Sequence, residues 1–246
     1  MDLAESIFAG SPIPEPRTLS PLSAFLRDWG LTASDEAAVI DAIVARVEES
    51  LKTDIEQMGP NNRAEVRILN SKDHDDPFGQ ANVSRVIIGG TIPELGIGTI
   101  GIAQSIDVGN YDTEETAFVL LDILSGQIPT TIDLNAFERA PGETIIDIIA
   151  VGVGEITAHE AGHYLGSWHT DQFNDVANIM DQGGNLEFSI LGLGPDGIFG
   201  SADDTNVEFV RDVFNPSEPF FGVEDVQSAI SYGVTTSKGG KGKNKK

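Results

Sequence analysis

Apolar residues recur at three- and four-residue spacing in the segment that follows Ser34. Asp35 and Glu36 come next, in the place of a first helical turn, and Gly59 and Pro60 follow the last apolar position. Serine is a typical N-cap residue, acidic side chains favour the first turn, and a Gly-Pro pair ends a helix. The pattern therefore predicts an amphipathic helix from Ser34 to just before Gly59. Its apolar positions are Val39, Ile40, Ile43, Val44, Val47, Leu51 and Ile55.

Four runs rich in β-branched residues come after this helix, separated by turn residues. They cover residues 64–70, 83–89, 99–106 and 117–124. Such runs, bounded by Gly, Pro, Asn and Asp, are typical of β-strands, and we expect them to form a sheet. The next segment, residues 143–165, is long and apolar, and its length favours a buried helix over a strand.

The two ends of the chain differ in composition from this central part. Residues 11–23 carry four prolines among Ser and Thr, which is typical of a linker or an extended arm. The last ten residues contain no apolar side chain and predict a disordered basic tail. We therefore expect an arm, linker or prosegment remnant (1–33), one domain (34–236) and a tail (237–246). The domain is expected to consist of an upper subdomain (34–166) and a loop-rich lower subdomain (167–236).

Charge and composition exclude several classes of function. The net charge of −24 argues against a nucleic acid or an anionic membrane as partner, because a negative surface would repel this chain. The sequence contains no cysteine, so thiolate metal sites, disulfides and cysteine nucleophiles are excluded, and any metal must be bound by His and carboxylate. No apolar run reaches the roughly 18 residues of a membrane span.

Three of the four histidines lie in one segment, HEAGHYLGSWH, residues 159–169. The pattern H-E-x-x-H-x-x-G-x-x-H would arise by accident in a chain of this length on the order of once in 10⁵ cases. His159 and His163 are four residues apart, so a helix would place both imidazoles on one face. A continuing helix would turn His169 about 240° away from His163, so the helix must end between them. Gly166 can adopt the positive φ angle that lets the chain reverse.

This spacing predicts a catalytic zinc site. Three neutral histidines leave one open position on a tetrahedral zinc ion, and water would occupy it. Glu160, next to His159, is predicted to take the proton of that water and later to transfer it to the leaving amine. The favoured function is a zinc-dependent endopeptidase. Two alternatives stay open: a zinc hydrolase of a non-protein amide, and a non-catalytic binding or adhesion module stabilised by metal.

Through this motif, the chain resembles the metzincin clan of zinc metallopeptidases. It is most similar to the pappalysin and matrixin-like branches of that clan, whose motif has the form HExGHxLGxxH. The resemblance implies an α+β, zincin-type fold, with a mixed sheet and the active-site helix in the upper subdomain. It implies a methionine-bearing turn, for which Asn178-Ile179-Met180-Asp181 fits, with Met180 supporting the ligands from beneath. It also implies that the run 98–106 is an edge strand that pairs with an extended protein or peptide substrate.

Three features depart from the family pattern. No strand is evident before the first helix. Gln182 stands where some relatives have a tyrosine that serves as an additional zinc ligand, and the lack of cysteine excludes latency through a propeptide thiolate. Residues 1–10 have neither the basic nor the apolar region of a signal peptide. Either the protein stays inside the cell or the signal is not part of this sequence, and we expect the second, an extracellular location.

A second metal site is also conceivable in the lower subdomain. The segment GPDGIFGSADDTN, residues 194–206, clusters Asp196, Asp203 and Asp204 among flexible glycines, as an oxygen-ligand calcium loop does. It lacks the spacing of an EF-hand. A plain acidic turn is the alternative, so Ca²⁺ is a hypothesis beside Zn²⁺.

Overall fold

The chain is an α+β protein with helices and small sheets. The computed structural model describes residues 17–53, 55, 66–112, 114–130, 132–183 and 185–236. The elements in chain order are α1 (Glu36–Glu48), β1 (Arg85–Ile88), α2 (Ile92–Leu95), β2 (Gly101–Ala103), β3 (Thr116–Val119), β4 (Glu138–Arg139), α3 (Ile145–Tyr164), α4 (Leu186–Ser189), β5 (Ile198–Phe199), β6 (Arg211–Val213), β7 (Val223–Asp225) and α5 (Val226–Thr236).

Helix α1 is the first predicted helix, and its apolar positions face the core. It begins one residue later than expected, with Asp35 rather than Ser34 at the N-cap, and it continues into a π-helical turn, Glu49–Thr53. The Ser34 hydroxyl is instead within 2.7 Å of the Thr32 hydroxyl. The predicted stop at residues 59–60 lies outside the described residues. Buried side chains include Val39, Ile43, Val47 and Leu51.

Three of the four predicted strand runs form one small mixed sheet, in the order β1-β3-β2. Strand β3 pairs in parallel with β1 and antiparallel with β2, so β2 lies at an edge, as expected for the run 98–106. The part of the run 64–70 that the structure describes, residues 66–70, contains no strand. Strand β3 is buried along its whole length, which explains why every residue after Thr116 in the strand is apolar.

Helix α3 is the long buried helix expected over residues 143–165. The Thr144 hydroxyl accepts a hydrogen bond from the Asp147 N–H, and the Asp147 carboxylate accepts one from the Thr144 N–H, so a capping box starts the helix. The helix packs against α1 and the sheet. The fully buried Glu155 on α3 pairs with Arg46 on α1, which neutralises a charge that burial alone would penalise strongly.

Part of the predicted N-terminal arm belongs to the hydrophobic core. Leu22, Phe25, Leu26 and Trp29 are buried in the same cluster as the apolar faces of α1 and α3. The indole N–H of Trp29 also donates a 3.0 Å hydrogen bond to the Leu124 carbonyl. From Leu22 onward, the described part of the arm therefore contributes to the stability of the domain.

The C-terminal half is built mainly from loops with short elements, as its composition indicates. Strands β6 and β7 form an antiparallel hairpin, with Arg211 opposite Asp225 and Val213 opposite Val223. The sequence predicts a short helix around residues 223–231. The helix begins only at Val226, because the preceding three residues pair with β6. Within the described chain, no helix is both long and apolar enough to cross a membrane.

Candidate metal centre

The structure brings His159, His163 and His169 together at the C-terminal end of α3. The rings of His159 and His163 lie one helical turn apart with centroids 4.8 Å from each other. The His169 ring centroid is 5.3 Å from that of His159 and 4.7 Å from that of His163. One nitrogen of each ring lies within 4.8 Å of the others, so the three form a candidate metal-binding group.

Gly166 makes this convergence possible. Helix α3 ends at Tyr164, and Gly166 then adopts a φ of +103°, a conformation that residues with a side chain rarely take. A Cβ atom at this position would lie 2.6 Å from the Cα of Val108, so the turn is also too crowded for a side chain. The role that the sequence predicts for this glycine, a reversal between His163 and His169, matches the observed backbone.

Each imidazole presents its Nδ1 to a group that accepts a hydrogen bond. The Nδ1 atoms lie 2.6 Å from the Ile179 carbonyl for His159, 2.8 Å from the Ser167 carbonyl for His163, and 2.7 Å from the Glu218 carboxyl group for His169. Carbonyl and carboxylate oxygens only accept, so Nδ1 carries the hydrogen in each neutral ring. The lone pair is then on Nε2, which is the arrangement that a metal ligand requires.

Burial keeps the two helical histidines neutral. It lowers the pKa of His159 to about 3, with the neighbouring His169 acting in the same direction. It also lowers the pKa of His163 well below its usual value, again with both neighbouring imidazoles contributing. At neutral pH both rings therefore have a free lone pair, and neither needs to lose a proton before binding a cation.

Glu160 is buried beside these rings and lines the same cleft. Its Oε2 atom has no hydrogen-bond partner within the described part of the chain. Burial raises the pKa of the carboxyl group to about 8. A buried carboxyl oxygen without a partner is costly, which favours a role in which it meets a water molecule, a cation or a substrate.

Met180 lies in a turn directly under α3. The Asp181 N–H donates to the Asn178 carbonyl at 3.0 Å, and the Met180 N–H donates to the Asn178 side chain at 3.1 Å. The Met180 side chain is fully buried, and its sulfur packs against Gly162, between the two helical histidines. The neighbouring Ile179 supplies the carbonyl that orients His159. This placement agrees with the supporting position that the sequence indicates for Met180.

A cleft of about 600 Å³ runs past the three histidines and Glu160. Its lining includes residues 99–103, 105 and 106, a segment that contains β2. Residues 181–183 also line the cleft, together with the apolar residues Ile156, Leu186 and Ile190.

Two acidic residues at the site have no signal in the sequence that would have identified them. Glu218 contacts His169, and the Glu224 carboxyl group accepts hydrogen bonds of 3.1 and 3.2 Å from the Trp168 N–H. Burial raises the pKa of Glu224 to about 7. Both lie about fifty residues beyond His169 and belong to no motif, so only tertiary structure reveals them.

The acidic loop predicted as a possible calcium site does bring its carboxyl groups together. Asp196, Asp203 and Asp204 lie within 4.8 Å of one another and are at least partly exposed. Their oxygens accept hydrogen bonds from N–H groups of the same loop and from the Ser201 hydroxyl. These contacts explain the shape of the loop without an ion, and calcium binding stays a prediction.

Comparisons of this chain with protein-family models, with curated proteins and with solved structures found no match. Any assignment of function therefore depends on the geometry and chemistry of the site itself.

Proposed function

We propose that this protein is a zinc-dependent endopeptidase of the metzincin type that acts outside the cell. The observation that carries the proposal is the convergence of one ring nitrogen from each of three histidines, next to a buried carboxyl oxygen of Glu160 that has no hydrogen-bond partner among the described residues. The packing of the fold alone does not readily explain either the histidine cluster or the buried carboxyl oxygen, because buried polar groups in proteins normally have partners. Together they form the ligand set and the base of a hydrolytic metal site.

The donor set fits zinc better than other common cations. Imidazole nitrogen suits Zn²⁺, whereas Mg²⁺ and Ca²⁺ prefer oxygen ligands. His159, His163 and His169 would bind the ion, and three protein ligands leave a position open for chemistry. When bound, zinc supplies Lewis acidity, which lowers the pKa of a coordinated water and polarises a carbonyl group.

Glu160 would move the protons. Burial raises the pKa of its carboxyl group, and a cation held by the three histidines would lower that pKa again, so the carboxylate form would be present to act as a base. It would accept a proton from the attacking water and transfer it to the nitrogen of the leaving amine. The contact with Gly101 limits where the carboxyl group can lie, which keeps it directed at the cleft.

The edge strand β2 supports a peptide substrate over another amide. The Leu120 N–H donates to the Ile100 carbonyl, and the Gln104 N–H donates to the Thr116 carbonyl, so these positions face β3. Main-chain groups alternate in direction along an antiparallel strand, and those of Ala103 therefore point away from β3, toward the open edge. An extended peptide would add there as a further strand, through hydrogen bonds that do not depend on its sequence.

The test is cleavage of an unfolded protein by wild type, by Glu160→Ala and by Glu160→Gln, each loaded with zinc. We expect cleavage by wild type to stop on chelation and to return with added zinc. Both variants should retain zinc and lose at least about a hundredfold in kcat/KM. The exposed Glu187, a glutamate of the same half of the chain, provides a control as Glu187→Ala, which should cleave as wild type does.

Three outcomes would reject the proposal in different ways. Equal cleavage by wild type and Glu160→Ala would reject the role of Glu160. Zinc binding without cleavage of any protein would favour a metal-stabilised binding module. Hydrolysis of a non-protein amide, with no cleavage of protein, would favour the alternative hydrolase.

A further inference from the structure

His169 differs from the other two histidines in how it is held. His159 and His163 belong to one buried helix, and main-chain carbonyls that no substitution can remove orient their rings. His169 lies beyond the glycine turn, and 26% of its side chain is exposed. Its Nδ1 contacts a side chain, the carboxyl group of Glu218, at 2.7 Å. The position of the third histidine therefore depends on a contact that can be altered.

The β6–β7 hairpin holds the segment that carries His169. The Asn215 N–H donates a 2.9 Å hydrogen bond to the His169 carbonyl, and Thr170 forms an antiparallel bridge with Phe214. On the other side of His169, the Glu224 carboxyl group accepts from the Trp168 N–H. The main chain at residues 168–170 is thus fixed independently of Glu218, which leaves the orientation of the His169 ring as the property that Glu218 controls.

We propose that Glu218 is a positioning residue of the metal centre, which fixes the tautomer and the ring orientation of His169 so that its Nε2 faces the other two histidines. The inference rests on the proposed function for the identity of the ion. Glu218 is itself well placed for this role, because only 12% of its side chain is exposed. An ionised carboxylate has no hydrogen to donate, so the imidazole Nδ1 must be the donor of this hydrogen bond. A carboxylate that accepts from a ligating histidine also makes that histidine a more basic ligand.

The alternative is that Glu218 merely stabilises the loop between β6 and β7. The two roles differ in what they change. Loss of a positioning residue weakens metal binding while the metal-free protein stays as stable as before. Loss of a structural residue lowers the stability of the metal-free protein, and it weakens metal binding only in proportion to that loss of stability.

The experiment measures the zinc affinity of the full-length protein by competition with a chromophoric chelator. Glu218→Ala should bind zinc about 10- to 100-fold more weakly than wild type. Glu218→Gln should lose much less, because its side-chain oxygen can still accept from Nδ1. Glu187→Ala removes the same charge from the same half of the chain and should bind zinc as wild type does. The visible absorption of the cobalt(II) protein should change in Glu218→Ala and stay close to wild type in Glu187→Ala.

Equal zinc affinity in wild type and Glu218→Ala would overturn the inference. So would a loss of zinc affinity in both Glu218 variants that follows a matching fall in the melting temperature of the metal-free protein. Failure of the proposed function gives a different pattern. If wild type binds zinc and Glu218→Ala binds it poorly, but neither cleaves protein, the positioning role stands and the peptidase proposal fails. If wild type binds no zinc, both fail.

Discussion

The carboxyl group of Glu160 occupies the space that a side chain at Gly101 would fill. A Cβ atom added to Gly101 would overlap the Oε1 atom of Glu160 and would also crowd its Cδ. Strand β2 and helix α3 therefore meet at a point where one of them must lack a side chain. This contact couples the proposed substrate strand to the proposed catalytic base.

Gly101→Ala should displace the Glu160 carboxyl group and lower kcat/KM about 10- to 100-fold, because small misplacements of a catalytic group are costly. Zinc affinity should stay unchanged, since the three atoms nearest to the added Cβ all belong to Glu160. Gly98→Ala is the matched control, because no atom of the described residues lies within 4 Å of a Cβ there. Steady-state kinetics on a peptide substrate would decide. An active Gly101→Ala enzyme would show that Glu160 tolerates displacement.

Ala103→Pro should weaken the binding of peptide substrates. The substitution removes one outward N–H donor from the open edge of β2, and a hydrogen bond of this kind contributes about 0.5–1.5 kcal/mol. We therefore expect KM to rise about two- to tenfold, with kcat and the melting temperature changed little. Ala103→Ser keeps the N–H and is the control. Unchanged KM for the proline variant would place the substrate elsewhere than along β2.

Gly166→Ala should destabilise the protein and weaken zinc binding together. The positive φ angle costs a non-glycine residue about 1–3 kcal/mol, and the contact with the Val108 main chain adds to that cost. Gly142 has a similar φ of +109°, but within the described part of the chain a Cβ added there meets nothing within 4 Å. Gly142→Ala should therefore lose less stability and no zinc affinity. The measurements are denaturant unfolding and zinc titration, and equal effects of the two substitutions would contradict this account.

Glu115 should make the metal-free protein less stable as the pH rises. Burial, with smaller contributions from Asp107 and Asp112, raises the pKa of this fully buried carboxyl group to about 7. The folded state then binds a proton more tightly than the unfolded state, whose pKa is near 4.5. The unfolding free energy therefore falls between pH 4.5 and 7, because in that range the unfolded state has already lost the proton that the folded state still holds, and it levels off above pH 7.

Glu115→Gln mimics the protonated side chain and should remove this part of the pH dependence. At pH 8 the variant should be more stable than wild type by on the order of 2 kcal/mol. Urea unfolding at several pH values, with chelator present, measures the difference. The exposed neighbour Glu114, changed to Gln, is the control and should follow the wild-type curve. A Glu115→Gln protein with the wild-type pH profile would contradict the assignment.

Part of the site is predictable because it is local in sequence. His159 and His163 share a helix face whatever the rest of the chain does, since their separation is close to one helical turn. Gly166 is similarly local, because a reversal between His163 and His169 needs a residue that tolerates positive φ. The apolar composition of residues 145–164 likewise predicts a buried helix from the pattern alone.

Other predictions were less accurate because tertiary contacts decide them. Residues 66–70 have strand-like composition but no strand partner in the described structure, and a strand exists only when it is paired. Residues 223–225 were expected in a helix and instead pair with β6. The proline-containing segment before residue 34 was expected as an arm, and its described part places Phe25 and Trp29 in the core.

The sequence by itself determined the three histidines, the adjacent carboxyl group and the turn that joins them, because all of these depend on helical periodicity and on the freedom of one glycine. Only the tertiary structure decided that Gly101 faces Glu160 and that Glu218 holds His169. Those pairs are 59 and 49 residues apart in the chain. Contacts over such distances follow from how the sheet edge and the β6–β7 hairpin pack around α3, and no local pattern encodes that packing.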